Sequence, residues 1–122
     1  MKLGEAIELV DRLRPNTYDR KDKIRWLSQL DMRVKTLVID THEGGDAVTF
    51  NGYNENTDLE TVLLVPAPFE EVYERWLTAQ IEYYDMQEDR YNNAMDLFNT
   101  VWEAFRCWYN RTHCPKGRNF KF

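Results

Sequence analysis

The chain has 122 residues, of which 43% are hydrophobic, 14% aromatic and 30% charged, and its formal net charge is −5 at pH 7. This composition is typical of one globular domain and excludes a chain that is disordered over long stretches. The longest aliphatic run, residues 62–65, is too short to cross a bilayer, and no signal-peptide region is apparent. We therefore expect a soluble protein that acts where it is made.

The charge is divided unevenly along the chain. Residues 1–41 carry nine basic and seven acidic side chains, residues 42–104 two basic and fourteen acidic, and residues 105–122 five basic and none acidic. An acidic middle repels nucleic acid, whereas a basic end can dock on an acidic partner or on another copy of the chain. The alternative is a solvated acidic face with a basic helix end that balances the helix dipole.

Two amphipathic helices are predicted in the first third of the chain. The first covers residues 3–14 and ends at Arg14-Pro15, because proline lacks the donor that would continue it. The second begins at Asp19, a residue type favoured at helix N-termini, and runs to about Asp40. Apolar residues recur at helical spacing in both: Leu3, Ala6, Ile7, Val10 and Leu13, then Ile24, Leu27, Leu30, Val34, Leu37 and Val38, with Trp26 at the flank.

Residues 42–58 are rich in turn-forming residues and predict a long loop. Val48 and Phe50 would point to the same side if the chain were extended, so a short β-hairpin or edge strand is an alternative. Long loops in small domains are often functional, so we interpret residues 42–62 as a protruding interaction arm; an ordered crossover without contacts is the alternative. The apolar residues 59–65 are expected to lie extended against the helices, and Pro68 to occupy the first position of the next helix.

Residues 68–111 contain eleven of the seventeen aromatic residues and repeat the helical spacing over two stretches. We favour a helical hairpin over one long bent helix, because two such stripes bury each other only if the chain reverses. The predicted fold is therefore mainly α, a single domain of about four helices over residues 1–122, with a basic tail at 114–122. Seven side chains of the hairpin are of types enriched at interfaces, and we assign two thirds of them to the core and the rest to an oligomer interface: Trp76, Tyr83, Tyr84, Trp102, Trp108, Tyr109 and Arg111.

Motifs that mark catalysis are missing. The chain has no phosphate-binding loop, nucleophile elbow, dinucleotide fingerprint or zinc-ligand pair, and His113 beside Cys114 lacks further ligands. Cys107 and Cys114 are two helical turns apart, too far for a disulfide unless the helix unwinds, and we interpret both as reduced thiols, with Cys107 in the core. We expect no enzyme, no cofactor and no bound metal.

The order of segments resembles a known family through patterns of core and turn residues that cover nearly the whole chain except residues 42–58. The matching stretches are Lys23-Ile24-Arg25-Trp26-Leu27, Leu63-Leu64-Val65-Pro66-Ala67-Pro68-Phe69, Tyr73, Trp76-Leu77, Ile81, Tyr91-Asn92-Asn93-Ala94-Met95, Phe98-Asn99 and Trp108-Tyr109-Asn110-Arg111-Thr112. They resemble the head-to-tail connector (adaptor, or head-completion) proteins of tailed bacteriophages and prophages. The resemblance implies a mainly α-helical structural protein of the virion neck, assembled in the host cytoplasm and without contact to a membrane.

The resemblance also implies partners. Connector subunits form a homo-oligomeric ring, typically of twelve, beneath the portal protein, extend the DNA channel and offer a platform for a neck or tail-completion protein. DNA would pass through the ring without specific binding, because an acidic surface suppresses phosphate contacts. The predicted contact residues lie in the loop and near the basic end of the chain: Phe50, Tyr53, Arg111, Lys116, Arg118, Phe120, Lys121 and Phe122.

Two other functions remain open. One is a small helical regulator or inhibitor that binds a host or phage protein through the same aromatic surface. The other is a nucleic-acid-binding module that uses the cations Arg12, Arg14, Arg20, Lys21, Lys23 and Arg25, although Asp19 and Asp22 interrupt the cluster and the whole chain is acidic.

Overall fold

The computed structural model describes residues 1–116, and this part of the chain contains four α-helices. They are α1 (Leu3–Leu13), α2 (Arg20–Arg33), α3 (Glu71–Tyr84) and α4 (Glu88–Thr112). The predicted mainly α-helical fold is confirmed. Over residues 1–116 no helix is long and apolar enough to cross a membrane.

Helices α3 and α4 form the predicted hairpin and make the most extensive contact between any two helices of residues 1–116. Helices α1 and α2 pack against α3, which therefore lies at the centre of the bundle. The largest side chains of the core are fully buried and come from three of the four helices and from both halves of the chain: Trp26, Tyr73 and Phe105. The helical stripes thus meet in one apolar core, as their spacing predicts.

The second helix ends differently from the prediction. Regular α-helix stops at Arg33, and a π-helical turn (Val34–Val38) and a 3₁₀ turn (Ile39–Thr41) continue the helical path. The widened turn keeps Val34 and Val38 buried, and the tight turn after it also places Ile39 in the core. Burial of these β-branched residues accounts for a change of helix type that the sequence pattern does not reveal.

Residues 42–62 do not protrude as a free arm along their length, and the β-hairpin considered for them is not formed in the described chain. The Tyr53 N–H donates to Ser28 Oγ at 3.0 Å, and the N–H groups of Leu3 and Gly4 donate to the carbonyls of Thr61 and Leu59 at 2.8 and 2.9 Å. The bonds from Leu3 and Gly4 satisfy donors at the start of α1, which have no partners within the helix. The segment therefore lies against α1 and α2.

Of the two predictions for the segment after the loop, one is confirmed and one is wrong. Leu63 and Val65 are buried, which confirms that this stretch lies against the helices. Pro68, however, is not the first residue of α3, which begins at Glu71. The Phe69 N–H donates to the Pro66 carbonyl at 3.0 Å, and such tight-turn bonds precede the regular helical pattern.

Candidate functional site

The predicted contact residues of the loop lie together but are engaged within the chain. The rings of Phe50 and Tyr53 are 4.9 Å apart in an edge-to-face arrangement, and Tyr53 Oη donates to Asp31 Oδ2 at 2.6 Å. Near the end of the described chain, Lys116 Nζ pairs with Asp46 at 2.9 Å, and Arg111 is exposed in the last turn of α4. The remaining four predicted residues, Arg118, Phe120, Lys121 and Phe122, lie outside the described residues.

Asp31 is the most buried carboxylate of the described chain and joins four segments. It is fully buried in α2, and it accepts hydrogen bonds from Tyr53 Oη, from Tyr73 Oη at 2.7 Å and from the Leu64 N–H at 3.1 Å. Burial raises the pKa of this carboxyl above its usual value, and burial together with the nearby carboxylate raises the pKa of both tyrosine hydroxyls. All three donors bind the Asp31 carboxylate, so this side chain holds the loop, the extended stretch and α3 against α2.

We expect the stability advantage of the wild type over Asp31→Asn to grow as the pH is lowered from neutrality towards 3.8, the usual pKa of an aspartate. Because burial raises the pKa in the folded state, the folded protein binds this proton more tightly than the unfolded chain. The resulting stability is present below the unfolded pKa and is lost as the pH rises through the folded pKa. Urea unfolding of both proteins at several pH values measures the difference. A difference that does not change with pH would contradict the assignment.

The end of the described chain is held beside the C-terminal end of α4. The Glu43 N–H donates to the Cys114 carbonyl at 2.7 Å, and the Lys116 N–H donates to the Thr41 carbonyl at 2.8 Å. The buried ring of His42 lies between the two segments, with Nε2 2.8 Å from Asn110 Oδ1. Lys116 therefore lies close to the last turns of α4.

The aromatic residues of the hairpin are less buried than predicted. Of the seven side chains assigned by two thirds to the core, Trp76 alone is buried, while Trp102, Trp108 and Tyr109 pack partly buried against the core. Tyr83, Tyr84 and Arg111 are exposed. Cys107 is also exposed, so its assignment to the core is wrong. Cys107 lies on the outward face of α4, two residues after the buried Phe105. The spacing of apolar residues alone does not show which of these two neighbouring positions faces the core.

The turn between α3 and α4 closes α3 with a Schellman motif. The Gln87 N–H donates to the Glu82 carbonyl at 3.0 Å, and the Met86 N–H donates to the Tyr83 carbonyl at 3.1 Å. Met86 has φ +59°, the left-handed conformation that glycine usually provides in this motif, and its side chain is 89% exposed. The turn thus places a large apolar side chain in solvent at a position that favours glycine.

A pocket of about 660 Å³ lies beside this turn, and we call it the turn pocket. Its lining includes Glu82, Tyr83, Tyr84, Met86, Glu88 and Tyr91. Tyr84 stacks on Trp26 with ring centroids 5.4 Å apart, and Tyr83 contacts both Tyr84 and Tyr91 at 5.1 and 5.5 Å. The three tyrosines form a continuous aromatic wall supported by a fully buried tryptophan.

The acidic side of the turn pocket is held by the segment between α1 and α2. Arg14 Nε donates to Glu82 Oε1 at 2.5 Å, and its Nη2 donates to Asp85 Oδ2 at 3.0 Å. Tyr18 Oη donates to Asp85 Oδ1 at 2.7 Å, and this bond raises the pKa of the hydroxyl to about 12. Glu82 is 4% exposed, and its Oε2 has no hydrogen-bond partner among residues 1–116. Arg14 and Tyr18 therefore fix the two carboxylates in place beside the turn.

Sequence reasoning missed the turn pocket. The hairpin itself was predicted, but the turn from Asp85 to Glu88 contains no glycine or proline that marks where the chain reverses. The acidic content of residues 82–89, with four carboxylates and no cation, was the available signal. Glu82 is positioned by Arg14, which lies 68 residues away in the chain. One sequence alone does not reveal that these two residues are in contact.

A second concave surface lies between α2 and α3, with a volume of about 840 Å³. Trp76 lines it, and the Arg33 guanidinium lies over the Trp76 ring, 5.0 Å from its centroid. Two of the six cations considered for nucleic-acid binding are engaged within the chain, and the other four are exposed. Lys23 is buried and pairs with Asp11, and Arg14 pairs with the two carboxylates of the turn.

No family model, curated protein or solved structure matches the chain. These comparisons neither support nor contradict the resemblance to head-to-tail connectors, which stays a prediction from the sequence. Within residues 1–116, no group of three or more histidine, cysteine, aspartate or glutamate side chains is placed to hold a metal ion.

Proposed function

We propose that the protein is a structural subunit, without catalytic activity, that assembles into a homo-oligomeric ring and joins the portal of a tailed phage or prophage to its tail. The proposal follows the resemblance, and its partners are further copies of the chain, the portal protein and a neck or tail-completion protein. The virion neck is the proposed location, reached after assembly in the host cytoplasm.

The observation that carries the proposal is the separation of opposite charges to the two ends of α4. Four carboxylates lie in and beside the turn before α4, at residues 82–89, whereas the described cations Arg106, Arg111 and Lys116 lie in the last turns of α4 and just after it. Helix α4 is about 37 Å long at 1.5 Å per residue, so these charges are far apart within one copy. Opposite charges at opposite ends favour contacts between unlike surfaces of two copies, and such contacts close into rings.

The surface chemistry supports a channel that does not bind DNA specifically. Residues 42–60 contain five acidic side chains and no cation, and the cations of the first two helices are partly paired within the chain. A surface of this kind repels phosphates at moderate salt. DNA can then slide past the subunits without being held.

The solution mass of the purified protein tests the proposal. We expect light scattering over a wide concentration range to show a closed oligomer with a fixed number of subunits, more stable at low salt because opposite charges hold it together. If the protein stays a monomer, purified portal protein is added. A monomer that does not bind the portal would overturn the ring proposal and favour the helical regulator.

A further inference from the structure

We propose that the turn pocket binds residues 117–122 of a neighbouring copy of the chain. This contact rests on the proposed ring and deepens it, because it names the two surfaces that meet. The occupant is the segment Gly117-Arg118-Asn119-Phe120-Lys121-Phe122, whose side chains carry two cations, two aromatic rings and no carboxylate. We call it the tail segment.

The pocket offers what a basic and aromatic segment requires. Glu82 contributes a carboxylate to the lining, and Arg14 is its one cationic partner within residues 1–116, which leaves the acidic wall only partly neutralised. Glu88 adds a second, exposed carboxylate to the lining. The exposed faces of Tyr83 and Tyr84 accept either a cation or another aromatic ring.

The strained turn is an independent observation that points to a bound partner. A left-handed conformation is unfavourable for a non-glycine residue, and glycine at the position of Met86 would avoid that cost. The methionine gains no burial in return, since 89% of its side chain is exposed in one copy. A flexible thioether at the mouth of an aromatic pocket is well suited to cover a phenylalanine of the tail segment.

The tail segment cannot reach the turn pocket of its own copy. Lys116 is held by hydrogen bonds beside Asn110 at the far end of α4. From Asn110 to Tyr91 the helix spans about 28 Å at 1.5 Å per residue. The six residues 117–122 cover at most about 21 Å when fully extended. The contact must therefore join two copies.

The contact is heterologous, since one copy provides its tail segment and the next copy provides its turn pocket. Each subunit then has one donor surface and one acceptor surface, and a repeated contact of this kind generates a ring when its rotation closes. A symmetric dimer would use the same surface twice and is not what this contact produces.

A titration tests the contact directly. The protein is the full chain carrying Arg118→Glu and Lys121→Glu, so that its own tail segment cannot compete for pockets. The probe is a fluorescent peptide of residues 117–122 with the natural sequence, followed by anisotropy at low salt. We expect saturable binding. Adding Glu88→Lys to the protein should weaken binding about fivefold, because an attractive surface charge becomes repulsive.

Asp89→Lys is the matched control, because it makes a similar charge change one residue away, at an exposed side chain that does not line the pocket. It should leave peptide binding nearly unchanged. Met86→Gly should weaken binding while raising the melting temperature, which separates loss of the contact from loss of the fold. Absence of saturable binding, or equal effects of the two lysine substitutions, would overturn the contact.

The mass of the wild-type protein separates this inference from the ring proposal. If the wild type forms a ring and the peptide does not bind, the ring stands and the tail contact is wrong. If the wild type forms open chains of variable length that ignore the portal and the peptide still binds the pocket, the contact stands and the ring proposal fails. If the wild type stays a monomer at every concentration and ignores the portal, both fail.

Discussion

Asp31→Ala should lower the free energy of unfolding by about 3 kcal/mol, because it leaves several buried donors without an acceptor. The Tyr73 hydroxyl is fully buried, and the Leu64 N–H and the Tyr53 hydroxyl are partly buried. Each unsatisfied donor has a cost, and relief from burying the carboxylate offsets only part of the sum. Chemical denaturation monitored by circular dichroism measures the change.

Asp96→Ala is the control for this experiment. Asp96 is exposed on α4, and its side chain accepts no hydrogen bond within the described residues. Its replacement should change the free energy of unfolding by less than about 0.5 kcal/mol. If the two substitutions had equal effects, Asp31 would not hold the loop and α3 on α2.

Trp76→Ala should be the most destabilising single substitution in α3, with a loss of about 4 kcal/mol. Trp76 is almost fully buried, its ring centroid lies 5.1 Å from that of Phe98, and its Nε1–H donates to the Trp26 carbonyl at 2.8 Å. Alanine removes the contact with α4 and leaves a cavity where α2, α3 and α4 meet. Thermal and urea unfolding both measure the loss.

Trp76→Phe separates the packing of the ring from its polar contacts. Phenylalanine keeps most of the apolar contact but removes the indole donor and weakens the interaction with Arg33. We expect a loss of about 1–2 kcal/mol. If phenylalanine were as damaging as alanine, the hydrogen bond to Trp26 and not the packing would dominate.

The helices and the hairpin were predictable because their apolar residues repeat at steps of three and four. The same periodicity fails where a local event changes the turn, as in the π-turn at Val34–Val38, which leaves no mark on the spacing. It also fails at Cys107, since a residue of intermediate polarity fits either face of α4. The pattern of apolar residues along one helix does not reveal how far a neighbouring helix covers the edges of its apolar face.

The turn pocket was not predictable for a different reason. Its tyrosines were singled out by residue type, but two thirds of the group were assigned to the core, and Tyr83 and Tyr84 are exposed. The pairing of Arg14 with Glu82 joins positions that only the folded chain brings together. The predicted contact residue Tyr53 shows the reverse case, because its hydroxyl is bound to Asp31 in a network that one sequence does not reveal.

The bond between Arg14 and Glu82 has a consequence for the order of events during synthesis. Arg14 leaves the ribosome well before Glu82, so the carboxylate finds its cation only after α3 has emerged and packed on the N-terminal helices. A nascent or truncated chain that ends before α3 has the cation but no pocket. The proposed association through the turn pocket would thus begin only after α3 and α4 have been synthesised and packed, which would limit the premature clustering of unfinished chains on one messenger.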